Sequence, residues 1–363
     1  MSSPTENAIV YCEGAFTTTN GKTAHGLVRR SERFHVLSVV DSTCAGRPAE
    51  AVIEAAMPGI PIVASLGEAI TLAKNAGTPA DTLVIGLAPD GGRLPPNARA
   101  DILHAIEAGL NVVSGLHDFL GEDQELASLA AKRGSRIIDV RKPPERNDLH
   151  FFQGVIDRVE SFRVAVLGTD SAVGKRTTAW LLVDAFRTAG RSAELIGTGQ
   201  TAWLQGASHA VVLDSIINDF VAGELEHAVF SAWNELHPHV LVVEGQGSLL
   251  NPAYPGGFEL LAATRPHVVV LQHAPGRTVY DGFPDFPLHP LDKQIAAIEM
   301  ISDRPVVAIA INGENIRPED RLDVCSRIER ETGLPTVSPL QQGVGRIVEA
   351  LLPRIDGSKG RAA

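Results

Sequence analysis

The sequence predicts an α/β protein of two domains, a Rossmann-like amino-terminal domain followed by a P-loop NTPase-like domain with a doubly wound parallel sheet. Short apolar, β-rich runs alternate along the chain with helical stretches, which is typical of parallel α/β units. A glycine loop at 168–175 joins one of these runs directly to a helix. The chain has 363 residues, which is enough for two domains that each bury a core.

The composition is that of a folded, soluble protein, with 44% hydrophobic and 21% charged residues. A net charge of −11 and only 5% aromatic residues disfavour nucleic-acid binding. Cys12, Cys44 and Cys325 form no CxxC pair, so we expect ordinary thiols in a reducing compartment. Because the sequence shows neither a signal-peptide pattern nor a long apolar span, we expect a cytoplasmic protein with no membrane partner.

Short apolar runs predict the strands of the first domain, expected at 1–150. These runs are Ile9–Tyr11, Val36–Val40, Thr82–Leu87, Asn111–Ser114 and Arg136–Val140. Between them a helix is predicted from Asn97 to Ala108, because apolar residues recur there at helical spacing. The glycine-containing stretch 14–26 is predicted as a turn, with a ligand loop as the alternative. No GxGxxG fingerprint follows the first strand, so a dinucleotide redox role is not expected.

The second domain is expected at 151–353, with a flexible tail at 354–363. The polar, proline-containing segment 141–148 separates it from the first domain. Runs that are short and uniformly apolar suit strands buried on both faces of a parallel sheet. The runs of this domain are Phe162–Leu167, Ala193–Ile196, Val240–Val243, His267–Leu271 and Val306–Ile311.

The stretch GTDSAVGKRTT at 168–178 has the context of a phosphate loop, between a strand and a helix predicted from Lys175 to Ala189. The loop glycines permit the turn, the helix amino terminus offers N–H groups, and Lys175 offers a charge. Five residues instead of the usual four separate the glycines, and Arg176 stands where the common pattern has Ser or Thr. Arg176 suits bidentate phosphate contacts, and the hydroxyl for Mg²⁺ is displaced along the helix. The predicted phosphate-binding residues are Gly168, Thr169, Ser171, Gly174, Lys175, Arg176, Thr177 and Thr178.

Polar residues after other strands are expected at the same sheet edge, because ligands bind at the carboxyl ends of parallel strands. Glu244 follows such a run and could accept a proton or orient a metal, or it could only satisfy loop amides. Asp170 inside the phosphate loop would be costly beside a phosphate unless it holds a cation. We therefore predict catalytic roles for Lys175, Glu244 and Asp170, and no resident metal site. The predicted substrate-binding residues are Gln200, Asp214, Gln246, His273 and Arg277.

The loop GTDSAVGK and the later EGQG resemble the phosphate loop and acidic strand end of dethiobiotin synthetase and related ATP-dependent amidoligases. That resemblance implies ATP and Mg²⁺ binding, with phosphoryl transfer or ligation as the reaction. Thr177, Thr178 and Glu244 would be the magnesium partners. Arg176 departs from this pattern at the metal-binding hydroxyl.

A closer resemblance covers nearly the whole chain and is to a bacterial two-domain P-loop family long catalogued only as a domain of unknown function. It is carried by the motifs at 21–29, 88–96, 113–120, 168–178, 197–201 and 244–252. The family includes D-glutamate N-acetyltransferase, so the resemblance implies acetyl transfer from acetyl-CoA to an acidic D-amino acid, above all D-glutamate. The diphosphate of CoA would suit a loop with two adjacent cations. The alternatives are an ATP/Mg²⁺-dependent enzyme and a non-catalytic nucleotide- or CoA-binding protein, and a homo-oligomer is the default expectation.

Overall fold

The structure is a computed structural model that describes residues 6–359, without the side chains of residues 90, 358 and 359. It contains two compact units. The first comprises the described residues up to 143 together with 200–206, and the second comprises 144–199 and the residues from 207 onward. The segment 200–206 lies within the range predicted for the second domain, yet it is part of the first unit.

The regular elements follow one another in an alternating α/β order. The strands are β1 (Glu6–Tyr11), β2 (Phe34–Val40), β3 (Ile62–Val63), β4 (Thr82–Ile85), β5 (Asn111–Ser114), β6 (Ile137–Asp139), β7 (Phe162–Gly168), β8 (Ala193–Gly197), β9 (His209–Ala210), β10 (Val240–Glu244), β11 (Val268–His273), β12 (Val279–Tyr280), β13 (Phe283–Pro287), β14 (Val306–Ile311) and β15 (Thr336–Val337). The helices are α1 (Lys22–Arg29), α2 (Leu66–Asn75), α3 (Ala98–Glu107), α4 (Gln124–Arg133), α5 (Lys175–Thr188), α6 (Gln200–Gln205), α7 (Asn218–Leu236), α8 (Phe258–Thr264), α9 (Leu291–Ser302), α10 (Arg321–Thr332), α11 (Pro339–Gln342) and α12 (Gly345–Lys359).

The first unit is built on a six-stranded parallel sheet with the order β3-β2-β1-β4-β5-β6. This is the strand order of a Rossmann fold, so the predicted Rossmann-like domain is confirmed. Its core contains fully buried side chains from strands and helices alike, including Tyr11, Leu27, Ile85, Ile106 and Leu204. Leu204 lies on α6 and contributes to this core from the distant segment 200–206.

The turn predicted for 14–26 is only partly correct, because α1 begins at Lys22. Gly21 precedes the helix, and a Cβ there would lie 2.6 Å from the carbonyl oxygen of Ala15. Gly86 at the end of β4 is similarly close to Ala24, and the Ala24 N–H donates to its carbonyl oxygen at 3.0 Å. Glycines thus allow α1 to pack tightly against the sheet.

The second unit is built on a seven-stranded parallel sheet with the order β15-β14-β11-β7-β10-β8-β9. Strand β7 lies inside the sheet between β10 and β11, and all of its residues are buried. A central strand buried on both faces explains the apolar sequence of 164–167. The predicted doubly wound P-loop architecture is confirmed.

An antiparallel hairpin, β12–β13, follows β11 and was not predicted. Its second strand has the sequence FPDFP, and proline lacks the N–H that an inner strand needs. The two-residue strands β9 and β15 also went unpredicted, because so short a run has no alternating pattern. Both lie at the edges of the parallel sheet.

The flexible tail predicted from 354 is wrong in its first part, because α12 continues through Pro353 to Lys359. Ile355 is fully buried, and Arg191 pairs with Asp356 at 2.8 Å. Burial of one apolar side chain therefore holds a polar segment in the helix. No helix in 6–359 is long and apolar enough to cross a membrane.

Candidate phosphate-binding site

The phosphate loop connects the end of β7 at Gly168 with the start of α5 at Lys175. Gly174 has a φ of +103°, a conformation that side chains with a Cβ rarely adopt. A Cβ on Gly168 would lie 2.9 Å from the Nζ of Lys175. The two glycines predicted from the sequence are thus required for different reasons, one for backbone conformation and the other for space.

Lys175 bends back over the loop and is almost completely buried. Its Nζ donates to the carbonyl oxygens of Asp170 and Gly247, each at 2.8 Å. Gly247 belongs to the loop that follows β10, so this ammonium group joins two loops at the carboxyl edge of the sheet. The fixed charge lies at the amino terminus of α5, where an anion is favoured.

Glu244 lies near enough to the phosphate loop for the charges of Arg176 and Lys175 to act on its carboxylate. Glu244 ends β10, which pairs with β7, and its carboxylate is 6% exposed. Burial raises the pKa of Glu244, and the charges of Arg176 and Lys175 oppose this rise. Burial likewise lowers the pKa of Arg176, and the charge of Glu244 opposes that fall. One oxygen of Glu244 also accepts the N–H of Thr198 at 3.0 Å, which fixes the carboxylate in place.

The Asp170 carboxylate is fully buried and accepts hydrogen bonds from several loops. Its Oδ1 accepts from the N–H of Ser171 at 2.6 Å and from Asn251 Nδ2 at 2.9 Å. Its Oδ2 accepts from Arg277 Nη1 and from the N–H of Asp281, both at 2.9 Å. Both carboxylate oxygens are therefore engaged in holding the phosphate loop, the loop at 251 and the β12–β13 hairpin.

Arg277 directs its guanidinium into the protein, with only 6% of its side chain exposed. Besides Asp170, its Nη1 contacts the carbonyl oxygen of Ser171 at 2.8 Å. Its Nε and Nη2 donate to one oxygen of Glu314, at 3.0 and 2.6 Å. The structure thus places this predicted substrate-binding residue in a buried ion-pair network.

His273 ends β11 and contacts the phosphate loop at Thr169. The Nδ1 of His273 lies 3.0 Å from Thr169 Oγ1, and burial lowers the pKa of His273 to about 4, so the ring is neutral near pH 7. The hydroxyl of Thr178 donates to Oε1 of Gln272 at 2.5 Å. Thr177, one residue earlier on α5, is half-buried.

The remaining predicted substrate residues lie in three different places. Gln246 donates through Nε2 to the main-chain and side-chain oxygens of Thr198, at 2.8 and 2.9 Å, and so joins the loops after β10 and β8. Asp214 is exposed in a turn after β9, and β10 and β8 separate β9 from the phosphate-loop strand. Gln200 begins α6 and belongs to the first unit.

Sequence reasoning missed residues that fix the loop from a neighbouring strand, a helix and a second loop. Gln272 precedes His273 and accepts the Thr178 hydroxyl, and Gln294 donates to the carbonyl oxygen of Thr169 at 3.1 Å. Asn251 lies in the motif at 244–252 and contacts Asp170, but no role was predicted for it. A polar residue inside an otherwise apolar strand, such as Gln272 in VVVLQH, is the signal that could have found the first of them.

These residues do not fit a resident Mg²⁺ ion. In P-loop NTPases the hydroxyl directly after the lysine and a carboxylate at a strand end bind the metal. Here Arg176 takes the hydroxyl position, and the Thr178 hydroxyl is used by Gln272. Among the residues that the structure describes, no group of three His, Cys, Asp or Glu side chains is arranged to hold a metal ion.

Two protein-family models match the chain. One is described as a P-loop domain of unknown function, DUF1611_C, and matches residues 150–348. The other is described as a Rossmann-like domain of unknown function, DUF1611_N, and matches residues 42–143.

Two curated relatives are each named D-glutamate N-acetyltransferase. The one from Tritonibacter scottomollicae is 32% identical over 311 residues, which cover 84% of this chain and 91% of the relative. The one from a Pseudoalteromonas species is 34% identical over 279 residues, which cover 75% of this chain and 81% of the relative.

A crystal structure of a DUF1611 family protein from Anabaena variabilis has a similar fold. It matches with a TM-score of 0.87 and 30% sequence identity, over 96% of this chain and 100% of that chain. Both the Rossmann-like and the P-loop domain are thus shared with a solved structure. The chain belongs to the DUF1611 family, whose amino-terminal domain is Rossmann-like and whose carboxy-terminal domain is a P-loop domain.

Proposed function

We propose that this protein is an N-acetyltransferase that transfers the acetyl group of acetyl-CoA to the amino group of D-glutamate. The names of the two curated relatives support the reaction and the amino acid. The observation that carries the proposal is the pair of consecutive cations, Lys175 and Arg176, at the end of a phosphate loop. This pair offers the diphosphate of CoA two fixed positive charges at a helix amino terminus.

Lys175 and Arg176 would hold the diphosphate together with the main-chain N–H groups at the start of α5. The Lys175 ammonium is fixed by two carbonyl oxygens at 2.8 Å, so little side-chain entropy is lost when an anion binds. Thr169, Ser171, Thr177 and the loop glycines shape the cradle around these charges.

In the reaction, the amine nitrogen attacks the thioester carbonyl carbon. The C–N bond forms, the C–S bond breaks, CoA leaves as the thiolate, and the nitrogen loses a proton to a base. The whole pantetheine arm separates this carbonyl from the diphosphate. Residues around the phosphate loop therefore act at the phosphate end of acetyl-CoA.

For two of the catalytic candidates we propose roles other than those first predicted. Lys175 becomes a residue that binds the co-substrate. Asp170, whose two oxygens accept from Ser171, Asn251, Arg277 and Asp281, becomes a positioning residue. Arg277 acts with Asp170 in shaping the loop, and the substrate-binding roles of Gln200, Asp214, Gln246 and His273 stay predictions.

The test is release of the CoA thiol from acetyl-CoA with D-glutamate, with L-glutamate or without an amino acid, each in Mg²⁺ and in EDTA. We expect release that depends on D-glutamate and not on the metal. Lys175→Ala should raise the KM for acetyl-CoA by about 10-fold or more, since a charge-assisted phosphate contact is lost. The exposed Lys132→Ala is the matched control and should leave KM unchanged.

Three outcomes would contradict the proposal. Tight CoA binding without thiol release from either enantiomer would indicate a binding protein. Mg²⁺-dependent ATP turnover without thiol release would indicate the dethiobiotin synthetase-like alternative. An unchanged KM in Lys175→Ala would show that the phosphate loop does not hold acetyl-CoA.

A further inference from the structure

We infer that Arg176 takes the place of the divalent metal of a P-loop: its guanidinium, in the first turn of α5, is the cation that a bound diphosphate needs. The site would then bind its anion without Mg²⁺. The identity of the anion as the diphosphate of CoA rests on the proposed function, whereas the substitution of a side chain for the metal rests on the loop itself.

The position of Arg176 in the loop supports this inference. The residue after the P-loop lysine ordinarily supplies the hydroxyl that binds Mg²⁺. Arg176 occupies this position in the first turn of α5, directly after Lys175. A hydroxyl here would bind a cation, whereas an arginine brings a permanent cation with it. The charge is thus retained although the metal ligand is lost.

The charge balance of Glu244 supports the inference as well. This carboxylate ends the strand next to β7 and is nearly fully buried. A buried carboxylate is unfavourable without a compensating cation. In a P-loop NTPase the metal supplies that charge to the acid at a strand end. Here the electrostatic partners that favour the charged form of Glu244 are Arg176, as the larger effect, and Lys175.

The nearby hydroxyls are poorly suited to replace the missing metal ligand. The Thr178 hydroxyl donates to Gln272 Oε1 at 2.5 Å and is 1% exposed. Thr177 follows Arg176 on α5 and is therefore rotated by about 100° around the helix axis. The guanidinium of Arg176 is therefore the group that occupies the position next to Lys175.

A fixed cation has a chemical consequence that a metal ion does not share. Two neighbouring side-chain charges can hold phosphate oxygens by charge-assisted hydrogen bonds. They do not provide the bridging metal that phosphoryl transfer uses in P-loop enzymes. The loop is therefore suited to gripping a diphosphate that is not itself cleaved.

The experiment is calorimetric titration of the full chain with inorganic pyrophosphate and with CoA, in EDTA and in Mg²⁺. For the unaltered protein we expect dissociation constants for CoA that agree within about twofold between the two conditions. Arg176→Thr should weaken CoA binding in EDTA by about 10- to 100-fold, because a charge-assisted contact is lost. Adding Mg²⁺ should then raise the CoA affinity of Arg176→Thr by about 10-fold or more. The CoA affinity of the double variant Arg176→Thr/Glu244→Gln should not rise with Mg²⁺. Arg187→Thr, at the other end of the same helix, is the control and should bind as the unaltered protein does.

The inference is overturned if the unaltered protein binds CoA more than about 10-fold tighter in Mg²⁺ than in EDTA, or if Arg176→Thr binds normally in EDTA. Should Arg176→Thr not fold, Arg176→Lys and Arg176→Gln decide: only the charged variant should keep metal-independent binding, and equal binding by both would refute the inference.

The binding readout separates this inference from the proposed function. Metal-independent binding of CoA without any acetyl transfer would refute the proposed function alone. Acetyl transfer that requires Mg²⁺ would refute the inference alone.

Discussion

Replacing Asp170 with asparagine tests whether this carboxylate holds the site together. The native side chain accepts four hydrogen bonds, two on each oxygen, and is fully buried. Asparagine keeps the shape but offers one oxygen and one NH₂ group. Whichever way the amide turns, two donors lose their acceptor and face another donor. In one orientation these are Arg277 Nη1 and the N–H of Asp281, and in the other they are the N–H of Ser171 and Asn251 Nδ2.

The magnitude follows from these contacts. A buried donor without an acceptor costs about 1–3 kcal/mol. Breaking a buried ion pair by removing one partner costs about 3–5 kcal/mol in total. The Arg277 side chain keeps Glu314, which is 37% exposed, as its second partner. We therefore expect Asp170→Asn to lower the free energy of unfolding of the second unit by about 3–5 kcal/mol.

The assay is urea unfolding followed by tryptophan fluorescence in a Trp203→Phe background. The chain has three tryptophans, and this change leaves Trp180 and Trp233, both in the second unit. Asp157→Asn is the matched control, because Asp157 is 69% exposed and pairs with Arg265 at the surface. It should cost no more than about 1 kcal/mol. The reasoning is refuted if the two variants have equal unfolding midpoints at equal m-values.

Two further outcomes concern the loop glycine and the buried histidine. Gly168→Ala should displace the Lys175 ammonium, since the new Cβ would lie 2.9 Å from Nζ, and should weaken CoA binding by about 10-fold. Its melting temperature should stay near that of the control Gly345→Ala, whose Cβ has open space. Calorimetry would contradict this if both variants bound equally. Burial lowers the pKa of His273 from 6.5 to about 4, so between these pH values the unfolded chain binds a proton that the folded chain does not. The free energy of unfolding should therefore fall by about 2–3 kcal/mol as the pH is lowered from 6.5 to 4. Urea unfolding of His273→Gln should show a shallower pH dependence in that window, and an unchanged slope would disprove this role.

Much of the fold could be predicted because buried parallel strands have uniformly apolar sequences. Asn111–Ser114 and Val306–Ile311 were predicted with the observed bounds, and the phosphate loop was found from Gly168, Gly174 and Lys175. Strands of two residues, such as those at 209 and 336, carry too little pattern to be recognised.

The partners of the site residues could not be predicted, because they are set by contacts between distant parts of the chain. Asp170 and Arg277 were each singled out for the ligand, yet they pair with each other across 107 positions of sequence. Local sequence shows that each is a charged residue near a strand end. It does not show that the two side chains form an ion pair with each other.

The membership of α6 in the first unit has a consequence for how the chain folds during synthesis. Leu204 and Ala202 are fully buried, and Leu204 belongs to the core of the Rossmann-like sheet, so the unit that is made first is completed by residues made much later. By the time α6 leaves the ribosome, β7, α5 and β8 have already emerged. Domains generally fold in the order in which they are synthesised. Here the first unit cannot complete its core until 200–206 has been made, so part of its apolar surface stays exposed until then. A fragment ending at 143 should therefore be prone to aggregation, and refolding of the whole chain should be slow, because its last native contacts close a long loop.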